Sequence, residues 1–207
     1  MIKDVIWDFD GTLFNTYPAI AGVFLESLGS FGVSEDRRNV LKMLHQSLSD
    51  TYDYFSSKHS LPREDLRSEF VKNEESMDVS AVSPFEGAAD LLETVLNKGG
   101  VNLVYTNRGP STYSFLEHAG YMKYFSEIIT REDGFGRKPK PDCINYFLSK
   151  YSLNKSSTLM VGDRIIDVLA AQNAGIKSCY FNSHHIPIDI TPDIYIDSLP
   201  ELLPYLK

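Results

Sequence analysis

The 207-residue chain carries 20 Lys and Arg against 28 Asp and Glu, a formal net charge of −8, with 43% hydrophobic and 23% charged residues. That balance suits one sizeable soluble domain, or one with a small insertion, and argues against nucleic acid or an anionic membrane as the main partner. Two cysteines, Cys143 and Cys179, give neither a disulfide framework nor a zinc site and fit a reducing cytosol. The opening MIKDVIWDFD is interrupted by Asp4 and Asp8 and so lacks an apolar signal core. No run nears the ~20 apolar residues of a membrane span, so a cytoplasmic protein is expected.

In chain order, residues 4–8 read as a short buried strand that turns at Gly11. Side chains alternate along a strand, so Asp8 and Asp10 share a face or rim. Two carboxylates so close repel unless a cation or a shared proton offsets the charge. A plain turn would also use Asp and Gly. Residues from about 16 to 80 are helix-like, with Ser34, Ser49 and Leu61-Pro62 at expected helix starts. Their aromatics Tyr17, Phe24, Tyr52, Tyr54 and Phe55 read as a local core, and His45 and His59 as parts of a polar helix face.

From "SPFEGAADLLETVLNKGG" (83–100) onward, strands alternate with helices. Strands are expected at 101–106, 126–130, 158–163, 176–181 and 193–197, and helices at 111–120, 141–151 and 164–175. The segment 199–206 finishes the pattern. Continuous apolar strands separated by helices indicate a doubly wound, Rossmann-like parallel sheet covered on both faces. The helical stretch is inserted after its first strand, giving residues 1–15 and 83–207 as core and 16–82 as a separate helical domain.

Ligands of such sheets bind beyond the carboxyl ends of the strands. Asp8, Asp10 and Thr12 follow the first strand, Thr106 and Asn107 the second, Lys138 lies beyond "EIIT", and Asp163 and Asp167 follow "TLMVG". Each alone has a structural explanation, such as a helix cap for Asp163. Together, four carboxylates, a hydroxyl and an ammonium converge on one rim.

"DFDGT", then "TN", then a lysine before "PKPD", then "GDRIID" resembles the four ordered motifs of the haloacid dehalogenase superfamily. The helical insertion resembles the small α-helical cap of its phosphoglycolate phosphatase-like members. The resemblance implies a phosphatase in which Asp8 attacks phosphorus and forms an aspartyl-phosphate, starting from an ordinary carboxylate already ionised at neutral pH. Asp10 would serve as general acid and base and lend its backbone carbonyl to Mg²⁺. Asp8 and Asp163 would bind the ion directly, while Asp167 would act through water or orient Lys138. Thr106, Asn107 and Lys138 would hold the phosphoryl oxygens, and Thr12 would fix the loop presenting Asp10. The substrate implied is a small phosphate ester.

Asn15 stands where many relatives carry Asp, which bears on substrate contacts rather than on the chemical step. Arg108 and Arg164, beside motif residues, read either as phosphate contacts or as surface salt bridges. His184-His185 reads as a solvated loop pair. A sugar-phosphate mutase and a phospho-accepting receiver domain are the alternatives. Hexose mutases of this superfamily carry a histidine close after the first motif, and this chain has none there. The receiver explains neither Asp10 nor the helical insertion. The natural ester and the oligomeric state are not readable from the sequence.

Overall fold

The computed structural model describes residues 1–206. The chain divides into two compact units, one of Met1–Asn15 with Ser83–Lys207 and one of Thr16–Val82.

The first unit holds a six-stranded sheet of β1 (Asp4–Trp7), β2 (Asn102–Tyr105), β3 (Phe125–Ile129), β4 (Thr158–Gly162), β5 (Lys177–Phe181) and β6 (Ile194–Ile196). The order is β3-β2-β1-β4-β5-β6, and every pairing is parallel. Every residue of β1, β2 and β4 is buried, which explains their unbroken apolar runs. One sheet face, with Ile6, Leu103, Tyr105 and Met160, packs against Phe147 and Ala171. The alternating residues face the other side. There the Trp7 indole N–H donates to Asn102 Oδ1 over 2.9 Å, and the Asn102 amide donates to the Leu92 carbonyl.

The helices of this unit are Ala88–Asn97, Ser111–His118, Asp142–Lys150 and Ile165–Ala174. The last ends at Gly175, whose φ of 73° is the left-handed cap that glycine favours. Residues Leu199–Tyr205 form a 3₁₀ helix with Pro204 inside it; proline has no N–H to continue an α-helical ladder. Chain order runs outward from β1 on one side and from β4 on the other. The β1/β4 boundary is therefore the switch point, beyond whose strand ends such sheets bind their ligands.

The second unit is all-helical: α1 (Tyr17–Gly29), α2 (Arg37–Leu44), α3 (Leu48–His59) and α4 (Arg63–Glu75). Phe24 is central to its core, with ring centroids 5.7, 5.5 and 5.7 Å from Tyr52, Phe55 and Phe70. Two helix starts differ from expectation. Asp36, not Ser34, caps α2 by accepting the Arg38 N–H, and Ser47, not Ser49, caps α3 by accepting the Asp50 N–H. Several cap-type residues stand two apart here, and only backbone geometry decides which of them serves. Tyr54 is exposed rather than part of the core. His59 is half-buried and lies 2.6 Å from Glu35, which also pairs with Lys58. His45 packs edge-on against the Tyr17 ring. Among the described residues, no helix is long and apolar enough to cross a membrane.

Candidate active site

The backbone of Asp8 extends the β1 ladder by one bond, its N–H donating to the Val161 carbonyl of β4 at 2.9 Å. The chain then folds sharply. The Phe9 carbonyl accepts the N–H groups of Thr12, Leu13 and Phe14 at 3.3, 3.0 and 3.1 Å, and Gly11 takes φ 75°. Stacked Phe9 and Phe14 rings, 4.8 Å apart, pin the loop from below. Asp8 is consequently buried and Asp10 sits two residues on with its side chain 24% exposed.

Asp163 follows β4, and its Oδ1 accepts the Thr12 hydroxyl at 3.3 Å. Asp167 lies in the first turn of the next helix, where its Oδ2 accepts the Arg164 backbone N–H at 3.1 Å. Gly162 makes this close approach possible, because a Cβ there would lie 2.3 Å from Asp167 atoms. Lys138 reaches in from the loop after β3. Its Nζ is 2.7 Å from Asp8 Oδ1 and 2.5 Å from Asp167 Oδ1, and its side chain is fully buried. Asp8 Oδ1 also accepts the Phe9 N–H at 2.7 Å, so this carboxylate is fixed in rotation.

One oxygen each from Asp8, Asp163 and Asp167 lies within 4.8 Å of the others, and all three residues are buried. Of these three buried carboxylates, Asp8 and Asp167 pair with the buried Lys138 ammonium. The donor set of the three, all hard carboxylate oxygen within 4.8 Å, fits a divalent cation. Burial, then the Asp167 charge, push the Asp8 carboxyl up to about 6, against the opposing pull of Lys138 and Arg164. Asp8 therefore departs from the ordinary carboxylate range expected of it, because that range presumes solvation. Burial would push the Lys138 ammonium down, but Asp167 and Asp8 outweigh it and hold it above its usual value.

Thr106 directly follows β2, its N–H donating to the Ile129 carbonyl and its hydroxyl accepting the Arg108 N–H at 3.0 Å. Asn107, half-buried, follows it. The Asp10 carboxylate is not a member of the acidic trio. Its Oδ1 instead accepts from Arg108 Nη1 at 2.8 Å. The surface reading of Arg108 is thus overturned: its side chain is 2% exposed, and its guanidinium lies 4.9 Å from the Phe115 ring centroid. Arg164 is half-buried at the helix start and near enough to bear on Asp8. His184 is half-buried, with burial first and then His185 holding its ring below the usual pKa, while His185 is exposed 3.8 Å from Asp197.

The model of the haloacid dehalogenase-like hydrolases matches residues 5–181. The chain is 31% identical to a phosphoglycolate phosphatase of Vibrio parahaemolyticus, over 98% of this chain and 95% of that protein. It is 24% identical to the pyrophosphatase PpaX of Halalkalibacterium halodurans, with the same two coverages, 98% and 95%. Among solved structures, a hydrolase from Streptococcus pneumoniae TIGR4 superposes with a TM-score of 0.66 at 33% identity, covering 89% of this chain and 95% of the other. With its acidic motifs gathered at the switch point of a parallel sheet, the chain belongs to the haloacid dehalogenase-like hydrolase family.

Proposed function

We propose that the protein is a Mg²⁺-dependent phosphatase that hydrolyses a small phosphate monoester through an aspartyl-phosphate on Asp8. The observation that carries the reading is the Asp8–Lys138–Asp167 arrangement beside Asp163: a fixed carboxylate, a buried cation and room for a hard ion at one strand end. Asp8, Asp163 and Asp167, with the Asp10 backbone carbonyl, would hold the ion. When bound, Mg²⁺ would neutralise charge on the carboxylates and on the phosphoryl oxygens.

The chain's own groups supply the rest. The Phe9 N–H and Lys138 anchor Asp8 through Oδ1, which leaves Oδ2 to attack phosphorus. The P–O bond to the alcohol breaks as the Asp8 Oδ2–P bond forms. Asp10 gives its proton to the departing oxygen, then takes one from the water that hydrolyses the acyl-phosphate. Thr106, Asn107 and Lys138 bind the phosphoryl oxygens, while Asp167 keeps Lys138 in place. The ion-pair distances support this division, since Lys138 spans both carboxylates.

The helical unit Thr16–Val82 is proposed to act as the cap that sets substrate choice, with Asn15 near its junction. We infer a cytoplasmic enzyme whose substrate is a low-molecular-weight ester rather than a phosphoprotein, a nucleic acid or a membrane lipid. The phosphoglycolate phosphatase relative favours a phosphorylated small acid. The pyrophosphatase relative favours a second reading, a phosphoric anhydride attacked by the same Asp8. A mutase has no comparable support, and a receiver domain does not agree with membership of a hydrolase family. A panel of monoesters and pyrophosphate assayed with Mg²⁺ should give one small substrate with kcat/KM well above the rest. Equal turnover of a phosphoprotein would contradict the small-ester reading.

A further inference from the structure

Arg108 is secured by several contacts that its position in the sequence does not announce. Its backbone N–H donates to Thr106 Oγ1 at 3.0 Å and its carbonyl accepts the Arg131 N–H at 2.9 Å. Its Nε donates to Ser111 Oγ at 3.0 Å, and the guanidinium carbon lies 4.9 and 5.9 Å from the Phe115 and Phe9 centroids. A side chain packed against two neighbouring rings and hydrogen-bonded at Nε keeps few rotamers. From this fixed seat Nη1 donates to Asp10 Oδ1 at 2.8 Å.

We propose that Arg108 is a positioning residue that fixes the Asp10 carboxylate for proton transfer to the leaving group. This rests on the reading of Asp10 as general acid and base. A guanidinium carries N–H donors and no acceptor. An Oδ1 that receives its N–H leaves Oδ2 as the oxygen to carry the transferred proton. Without Arg108, Asp10 keeps its chemistry but loses its aim, since its side chain is partly exposed and free to rotate. Arg108 acts through Asp10 and is not itself a proton donor.

The experiment compares Arg108→Met, Arg108→Lys, Asp10→Asn and the Asp10→Asn/Arg108→Met double variant on an alkyl phosphate and on p-nitrophenyl phosphate. The second ester has a leaving group that needs no protonation. Arg108→Met should slow the alkyl ester roughly tenfold to a hundredfold in kcat, a part of the ~10²–10⁴ that acid–base catalysis supplies, and slow the activated ester less than about threefold. Arg108→Lys, which keeps the charge without the fork, should fall between, and it also serves if the methionine variant does not fold. The double variant should show the same alkyl-to-aryl ratio as Asp10→Asn alone. Equal slowing of both esters, or a KM rise shared by both, would overturn the proposal and make Arg108 a phosphate contact or a structural residue. If Asp10→Asn shows no leaving-group dependence, the acid–base reading fails and the proposal with it. If Asp10→Asn shows it and Arg108→Met does not, the proposal alone fails.

Discussion

Lys138 Nζ stands 2.5 Å from Asp167 Oδ1, and both side chains are fully buried. The same nitrogen lies 2.7 Å from Asp8 Oδ1, so one ammonium separates two carboxylates that would otherwise face each other in a low-dielectric site. Lys138→Met removes that separation. Turnover should fall by at least ~10²-fold, since both phosphoryl charge neutralisation and placement of Asp8 are lost. Lys138 holds the Asp8 pKa down, so the acid limb of kcat/KM in the variant should move above the wild-type value. A pH–rate profile with an unmoved acid limb would disagree with the Lys138–Asp8 coupling.

The wild-type acid limb follows from Asp8 itself. Burial first, then Asp167, push its carboxyl up to about 6. As the proposed nucleophile, Asp8 has to be ionised, so kcat/KM at limiting metal should fall as the pH drops through about 6. Saturating Mg²⁺ adds positive charge beside the carboxylates and should move that limb to lower pH. Profiles at two metal concentrations test both statements.

Asp8 also costs stability where it is charged. Its folded pKa of about 6 exceeds the ordinary 3.8, so its stabilising contribution is whole only below the unfolded value and is lost as pH rises through about 6. Asp8→Asn removes a buried charge of nearly equal shape. In metal-free buffer it should be more stable than wild type by on the order of 1–3 kcal/mol above about pH 7, with the gain vanishing near about pH 4. Urea unfolding at the two pH values measures this, and a variant less stable at the higher pH would contradict it.

The proposed metal dependence rests on the acidic trio. EDTA should abolish activity, Mg²⁺ should restore it, and Ca²⁺ should inhibit, because its larger, looser coordination misplaces the carboxylates. Asp163→Ala should raise the Mg²⁺ concentration needed for half-maximal activity sharply. Full activity after exhaustive chelation would speak against the ion's role.

Gly162→Ala tests the packing beneath the site. A methyl there would stand 2.3 Å from Asp167, whose carboxylate is held by Lys138 and by the Arg164 N–H. Overpacking of this kind costs about 1–3 kcal/mol, and displacement of Asp167 should lower activity beyond what the loss of stability explains. Thermal melting and kcat measured on the same sample separate the two effects.

Much of this geometry is legible in the sequence. A parallel sheet follows from apolar strands alternating with helices, and residues at strand ends then meet at one rim, as Asp8, Thr106 and Asp163 do. Less legible are the features that depend on side-chain direction. Arg108 follows the "TN" motif, yet nothing in the adjacent residues says that it turns inward onto Phe115 and Asp10. The shifted titration of Asp8 escapes the sequence for a related reason, since it comes from burial and from Asp167, 159 positions along the chain. In the helical unit, Asp36 and Ser47 cap where Ser34 and Ser49 compete, because propensity fixes the residue type more firmly than the position.

The proposed aspartyl-phosphate is tested most directly by chemical trapping. Wild-type protein mixed with its best substrate and Mg²⁺, quenched in acid within the first turnover and digested, should yield one phosphorylated peptide, residues around 5–14, with the phosphoryl group on Asp8. Asp8→Asn should yield no phosphorylated peptide and less than about one part in a thousand of the turnover. Phosphoryl label on another residue, or turnover that persists in Asp8→Asn, would contradict it.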